Sequence, residues 1–500
     1  MEFFTNLLLA FAVAFTPDNL FFCFLGVLIG TLVGVLPGLG PVATISLLLP
    51  STFQITPVSA LIMLAGIFYG AMYGGSTTSI LVNIPGEAAS VVTCLDGYQM
   101  ARQGRAGPAL GISAFGSFIA GTLSVIAIML IAPPLANMAL KFGPPEYFTL
   151  MFLGLTVLTY LASGSMIKAL MMASLGIFLG TIGTDTISGL ERFTYHSYTL
   201  MDGLGLVPVI MGLFGISEVL FNIDVQAAKR DIYETKLSNL FPNRDDWRIS
   251  IFPILRGSLI GFFLGILPGG GAVIASFGAY AIEKRISRHP EKFGTGTIEG
   301  VASPESANNA ASQGAFIPLL TLGIPANVVM AILLGALLIH GIKPGPLLMK
   351  QNPDVFWGVI GSMYIGNVML LILNLPLIGL WVKILKIPYP ILFPLILLFC
   401  LIGCYSLNNN VVEIMIMILF GIVGFLMKKF EYEGAPLILA FVLSPLMENA
   451  LRQSLIMSHG SFSIFFTRPI AVTFFLVALF LLISPQIPGF KKRPKGGDIV

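Results

Sequence analysis

The chain has 500 residues, of which 56% are hydrophobic and 10% charged, with 27 Lys and Arg against 24 Asp and Glu. A soluble domain carries roughly 25% charge, so this composition excludes a soluble globular fold and makes lipid the solvent for most of the surface. The apolar runs are long enough to span a bilayer as helices, which points to an all-α polytopic membrane protein rather than a barrel.

The N-terminus, Met1-Glu2-Phe3, lacks the cationic start of a secretory signal peptide. Residues 3–16 read as a short apolar helix that either spans or lies along the interface. Residues 26–40 then read GVLIGTLVGVLPGLG, and residues 257–271 read GSLIGFFLGILPGGG, identical at nine of fifteen positions. The echo continues: Asn83-Ile84-Pro85 faces Gly323-Ile324-Pro325, Gly107-Pro108 faces Gly345-Pro346, and Leu140-Lys141 faces Leu385-Lys386.

After the uncharged loop 51–57, spans are expected at about 58–86, 107–136, 147–163, 167–184 and 203–222. The linker 223–256 follows, carrying Lys229, Arg230, Lys236, Arg244 and Arg248. Residues 257–282 have basic residues at both ends, Arg256 before and Lys284 and Arg285 after. Each arm reaches only about half of the bilayer core at roughly 1.5 Å per residue. This predicts a re-entrant hairpin with Pro268-Gly269-Gly270-Gly271 at its tip; one broken spanning helix is the alternative. Further spans are expected at 315–340, 355–381, 388–404, 411–427, 435–456 and 469–486, ending in the basic tail Lys491-Lys492-Arg493.

Lys and Arg collect on the cytoplasmic side of short loops. That rule puts the tail, Lys428-Lys429, the 283–292 loop and the linker inside, and loop 51–57 outside. The two copies are therefore expected in opposite orientations, an inverted-topology repeat with about 11–12 transmembrane helices and two re-entrant Pro-Gly hairpins. The organisation expected is a membrane or interfacial helix (1–25), a first repeat (26–222), a cytoplasmic linker (223–256), a second repeat (257–456), and a last span with its basic tail (457–500). The Lys343–Lys350 stretch falls outside in this scheme, against the rule.

Three constellations could carry chemistry. At Gly38, Gly40, Gly269, Gly270 and Gly271 a helix ends and another begins, where glycine lets a ligand approach the main chain and the returning helix offers free N–H groups to an anion. Ser76, Thr77 and Thr78, and Ser306, Asn308 and Asn309, put hydroxyls and amides at membrane depth, suited to a carboxylate or a hard cation; the polarity of 297–314 also fits a cytoplasmic loop. Asn83, Pro85, Gly323, Pro325 and Asn327 break helices where freed carbonyls can bind ions. Among acids, Glu305 is the best intramembrane candidate, as a cation ligand or proton carrier, because a charge at that depth costs roughly 2.5–3.5 kcal/mol on insertion scales. Glu87, Asp185, Glu218 and Glu448 fall near span ends, where capping or snorkelling explains them.

Cys23, Cys94, Cys400 and Cys404 and the four His form no metal-spacing motif, and neither a Walker loop nor a hydrolase nucleophile motif is present. No enzyme activity and no cofactor beyond a coupling cation are expected, nor is nucleic-acid binding.

The segments GTLVGVLPGLGP (30–41), YGGSTTSILVNIPGEAASVVTCLDGYQMARQGRAGPAL (73–110) and GILPGGG through TLGIP (265–325) closely resemble the large membrane subunit (TctA family) of the bacterial tripartite tricarboxylate transporters. The resemblance covers almost the whole chain. It implies a multi-pass inner-membrane secondary transporter that imports citrate or related carboxylates by cation symport, with Na⁺ the expected ion and H⁺ the alternative. It further implies two partners, a small membrane subunit and a periplasmic solute-binding protein. An anion channel and an intramembrane enzyme using Glu305 are the competing readings.

Overall fold

The structure is a computed structural model that describes residues 2–36, 40–161, 165–185, 187–223, 240–269, 271–385 and 389–484. The helices are α1 Glu2–Ala14, α2 Pro17–Val35, α3 Pro41–Leu48, α4 Pro57–Val82, α5 Val91–Arg102, α6 Ala106–Ala139, α7 Pro144–Leu161, α8 Met166–Leu179, α9 Tyr198–Met201, α10 Leu206–Ile210, α11 Ser217–Ile223 and α12 Arg244–Ile266. They continue with α13 Gly271–Ile286, α14 Glu299–Gly314, α15 Phe316–Leu322, α16 Val328–Ile339, α17 Leu348–Gln351, α18 Pro353–Asn374, α19 Ile378–Ile384, α20 Tyr389–Asn408, α21 Val411–Lys429, α22 Gly434–Met457, α23 Ile464–Thr467 and α24 Pro469–Ile483. Among the described residues, seven helices (α2, α4, α6, α12, α18, α21 and α22) are long and apolar enough to cross a membrane, and shorter apolar helices accompany them. The protein is thus an all-α polytopic membrane protein, as its composition demands.

Proline sets several boundaries. It opens α2, α3, α4, α18 and α24, where its missing N–H is no loss. The expected span 355–381 is divided, because Pro376 cannot continue the hydrogen-bond ladder and α18 stops at Asn374. The expected span 203–222 is interrupted by a π-helical turn, Met211–Ile216.

Small residues set the packing. A Cβ on Gly26, Gly30 or Gly34 of α2 would lie 2.3, 2.5 or 2.3 Å from the carbonyl oxygens of Met63, Ile67 and Ala71 in α4. Both series rise together, so α2 and α4 run parallel with backbones in contact. The second copy of the motif behaves alike: on Gly257, Gly261 and Gly265 of α12, a Cβ would meet the carbonyls of Ser303, Ala307 and Ala311 in α14 at 2.2, 2.2 and 2.3 Å. The arms α12 and α13 fold back on one another, since Arg256 pairs with Glu283 across the turn and the chain reverses midway between them. This is the hairpin geometry expected at 257–282, although α12 begins earlier, inside the stretch expected to be linker. Ala275 and Ala279 of α13 pack against Ala307 and Ala311 of α14.

The chain divides into two compact units, each built from separated segments. The larger comprises Met1–Leu140 and Gly205–Phe430 and contains α1–α6 and α10–α21. The smaller comprises Lys141–Leu204 and Glu431–Val500. In the smaller unit α8 lies on α22, with a Cβ at Gly176 only 2.1 Å from the Leu437 carbonyl oxygen. A two-residue strand pair, Gly183–Thr184 with Glu191–Arg192, is pinned by Arg192 to Glu448 at 2.9 Å and by Arg452 to Asp185 at 2.7 Å. These ion pairs explain Asp185 and Glu448 without any role at depth.

Candidate functional site

Helix α14 is too polar to face lipid, and it does not: every residue from Gly300 to Gly314 is buried. The loop reading of 297–314 is therefore replaced by a helix enclosed by protein, the condition under which so polar a segment is tolerated within a membrane protein. Its side chains reach α4, α5, α6 and α18 within the larger unit.

Glu305 is fully buried. Ser76 of α4 donates to its Oε2, Thr93 of α5 to its Oε1, and Ser113 of α6 also bonds the carboxylate. One turn on, Asn308 donates through Nδ2 to Oε1 of Glu87 at 3.1 Å. Glu87 also accepts from the Ala89 N–H and forms a capping box with Ser90 at the start of the α5 region. A Cβ on Gly75 would sit 2.9 Å from Glu87 Cγ. The two carboxylates therefore touch adjacent residues of α4, Glu87 packing on Gly75 and Glu305 bonding Ser76. Asn309 donates to Ser117 Oγ at 2.7 Å, and Gln313 donates to Asn367 of α18 at 3.0 Å, extending the polar seam along α14. Ser306 Oγ, Asn308 Oδ1, Asn309 Oδ1 and Gln313 Oε1 are buried with no hydrogen-bond partner.

A third buried carboxylate, Asp96, is satisfied differently. It accepts the backbone N–H groups of Gly294, Gly296 and Thr297 at 2.8–3.0 Å and the Tyr280 hydroxyl at 2.9 Å. It thereby fixes the approach to α14 and ties α5 to the hairpin arm α13. Among the described residues no Lys, Arg or His pairs with Glu87, Asp96 or Glu305.

The helix breaks adopt matched conformations. Asn83 ends α4 with φ 57°, and Gly323 ends α15 with φ 72°, both left-handed and both followed by Ile-Pro. Four residues beyond each break sits a cap: Glu87 as above, and Asn327, whose side chain accepts from the Met330 N–H at 3.0 Å. Pro85 and Pro325 lie within these two breaks. At the hairpin tip Gly269 has φ 77°, a conformation side chains resist, and its N–H bonds the Ala326 carbonyl at 2.8 Å. Gly271 has φ 49° and opens α13. Gly40 is the extended N-cap of α3, with open space where a Cβ would stand. Thr78 bonds the Val35 carbonyl at 2.8 Å, at the end of α2, and Thr77 is buried beside it. Gly38 and Gly270 lie outside the described residues.

The structure thus brings Ser76, Glu305 and Asn308 into one cluster and joins Gly269 to the second helix break. Sequence reading missed Glu87 and Thr93 as members of that cluster, and Asp96, Ser117, Gln313 and Asn367 around it. The available signal was the set of acids between 87 and 96 with no basic residue until Arg102. At the base of the hairpin opens a cavity of about 1060 Å³ lined by Arg105, Arg248, Arg256, Arg288, Lys292 and Glu299 among others. Arg105 pairs with Asp246 and Arg256 with Glu283, whereas Arg248, Arg288 and Lys292 enter no ion pair among the described residues.

An uncharacterised 52.8 kDa protein of the TAR-I ttuC' 3' region of Agrobacterium vitis is 52% identical over 493 residues, covering 99% of this chain and 98% of the relative. A second uncharacterised protein, from the TAR-II ttuC' 3' region of the same organism, is 53% identical over 233 residues, 47% of this chain and 96% of the relative. No solved structure matches. Residues 20–439 match the family described as the tripartite tricarboxylate transporter TctA family. With that match spanning most of its length, the chain belongs to the TctA family of tripartite tricarboxylate transporters.

Proposed function

We propose that this chain is the permease of a binding-protein-dependent secondary transporter, importing tricarboxylates or related small carboxylates by cation symport with alternating access. The observation that carries the reading is the polar seam of α14, a buried helix of Ser, Asn, Gln and Glu side chains inside an apolar protein. Packing alone does not require so many buried polar groups, several of them left without a partner, whereas a helix that hosts ions and carboxylates needs oxygen and amide groups in reach. The seam lies beside the hairpin turn, where the Gly269 bond to Ala326 holds two breaks of the backbone together. An inverted repeat accounts for the matched glycine spacing in α2 and α12 and for the paired left-handed caps. The basic residues at the hairpin base, Arg248, Arg288 and Lys292 among them, support a cytoplasmic position for that end of the hairpin. The family supports a small membrane subunit and a periplasmic binding protein as partners and an inner-membrane location, and the basic tail Lys491-Lys492-Arg493 supports a cytoplasmic C-terminus.

The test is uptake of labelled citrate and other small carboxylates by cells producing all three components, against cells lacking either partner. Uptake that needs both partners, and that Gly269→Val abolishes without loss of membrane insertion, is the expected result. Uptake by the chain alone, or undiminished uptake by that variant, would reject the reading.

A further inference from the structure

The coupling ion of a symporter needs a place to sit, and the cluster around α14 has an excess of acceptors. Glu305 is enclosed with hydroxyl donors alone, from Ser76, Thr93 and Ser113. Glu87 has the Ala89 and Ser90 N–H groups and the Asn308 amide. No cationic side chain pairs with either among the described residues. Two carboxylates taken out of water without a cationic side chain are neutralised either by protons or by a bound cation, since neutral donors offset only part of the cost of burying the charge.

A second observation is independent of the acids. Asn308 is 1% exposed and its Oδ1 has no partner. Its amide cannot be turned over, because Nδ2 is committed to Glu87 and reversal would set oxygen against carboxylate. A buried oxygen that lacks a donor, on the residue that bonds Glu87 and stands one turn from Glu305 on α14, fits a bound cation better than a bound anion. Ser76 and Asn308 are then better placed to shape a cation site than to hold the substrate carboxylate. Among the described residues no three His, Cys, Asp or Glu side chains converge, which is the pattern a zinc or calcium site would leave.

The geometry points to a site for one hard monovalent metal cation of the Na⁺ type, held by Glu87, Glu305 and Asn308 Oδ1 between α4, α5 and α14. This deepens the symport reading and rests on it. The site couples to substrate access because Glu87 caps the segment after the first helix break, Asn308 and Glu305 belong to the helix leading to the second, and the hairpin tip is bonded beside that second break.

Equilibrium binding of ²²Na⁺ to the purified full chain, in choline buffer at constant pH, tests the site without any carboxylate. The wild type should bind saturably, with affinity lowered about tenfold or more by Glu87→Gln, Glu305→Gln and Asn308→Leu, as expected when a direct ligand is lost. Glu87→Gln and Glu305→Gln are isosteric with the native side chains and carry the test if the leucine variant fails to fold. The absence of saturable ²²Na⁺ binding by the wild type, or equal affinity in well-folded Gln and Leu variants, would overturn the proposal. Carboxylate uptake that proceeds without Na⁺ and without Na⁺ binding would reject this site and leave the carrier reading standing. Saturable, variant-sensitive Na⁺ binding with no carboxylate uptake in any buffer would keep the site and reject the carrier.

Discussion

Ser76 and Thr93 come from two helices and meet on the two oxygens of one carboxylate. Hydrogen bonds to charged groups contribute about 1.5–3 kcal/mol, so Ser76→Ala and Thr93→Val should each reduce carboxylate uptake roughly ten- to a hundredfold while protein levels in the membrane stay unchanged. Initial-rate measurements on both variants check this. A separate carboxylate, Asp185, lies outside the membrane spans and is covered by its own partners rather than by depth. The Ser188 hydroxyl, the Ile187 N–H and Arg452 hold it well below the usual carboxylate range. A folded-state value below the unfolded one contributes stability above about pH 3.9 that is lost as the pH falls further. Thermal unfolding between pH 5 and pH 3 should therefore show a steeper loss in the wild type than in Asp185→Asn. At this scale the sequence was only partly legible. Glu305 stood out because it interrupts a run of small polar residues. Glu87 read as a cap, which it is; its second contact comes from Asn308, 221 positions away, and no local pattern encodes that.

The helix pairs α2–α4 and α12–α14 depend on glycine where backbone meets backbone. A Cβ on Gly261 would lie 2.2 Å from the Ala307 carbonyl oxygen, with no flexible side chain to yield. Gly261→Leu should separate α12 from α14 and lower stability by about 1–3 kcal/mol or more, the scale of overpacking in a close-packed interior. A thermal-unfolding midpoint in detergent several degrees below the wild type would register it, and an unchanged midpoint would mean that the pair is more loosely packed than drawn. The helix breaks were legible because Ile-Pro after Asn83 and Gly323, and Pro-Gly at 268–269, are local signals. The enclosure of α14 was not, since a polar stretch of Ser, Asn and Gln reads alike in a loop and in a buried helix. Only the surrounding helices distinguish the two. The turn after Pro376 went unread because apolar sequence resumes directly beyond it.

At the scale of the whole molecule, the compact units do not follow the order of the sequence. The larger takes Met1–Leu140 with Gly205–Phe430, and the smaller joins Lys141–Leu204 to Glu431–Val500. The matched motifs, from Gly26 to Leu140 and from Gly257 to Leu385, fall in the larger unit. Repetition is visible along the chain, whereas partition depends on pairs such as Gly176 with Leu437 that packing alone brings together. The polar seam, the helix breaks and the hairpin tip all fall within the larger unit, which is where the proposed ion and substrate sites lie. Its central claim is that stored ion energy drives carboxylate movement. The direct measurement is accumulation of labelled citrate and other small carboxylates in proteoliposomes containing the chain and its small membrane partner, with the binding protein outside and an imposed inward Na⁺ gradient. Accumulation above the external concentration, collapsing when the gradient is dissipated, is the result the account predicts. Flux that merely equilibrates the two sides, whatever the gradient, would contradict it.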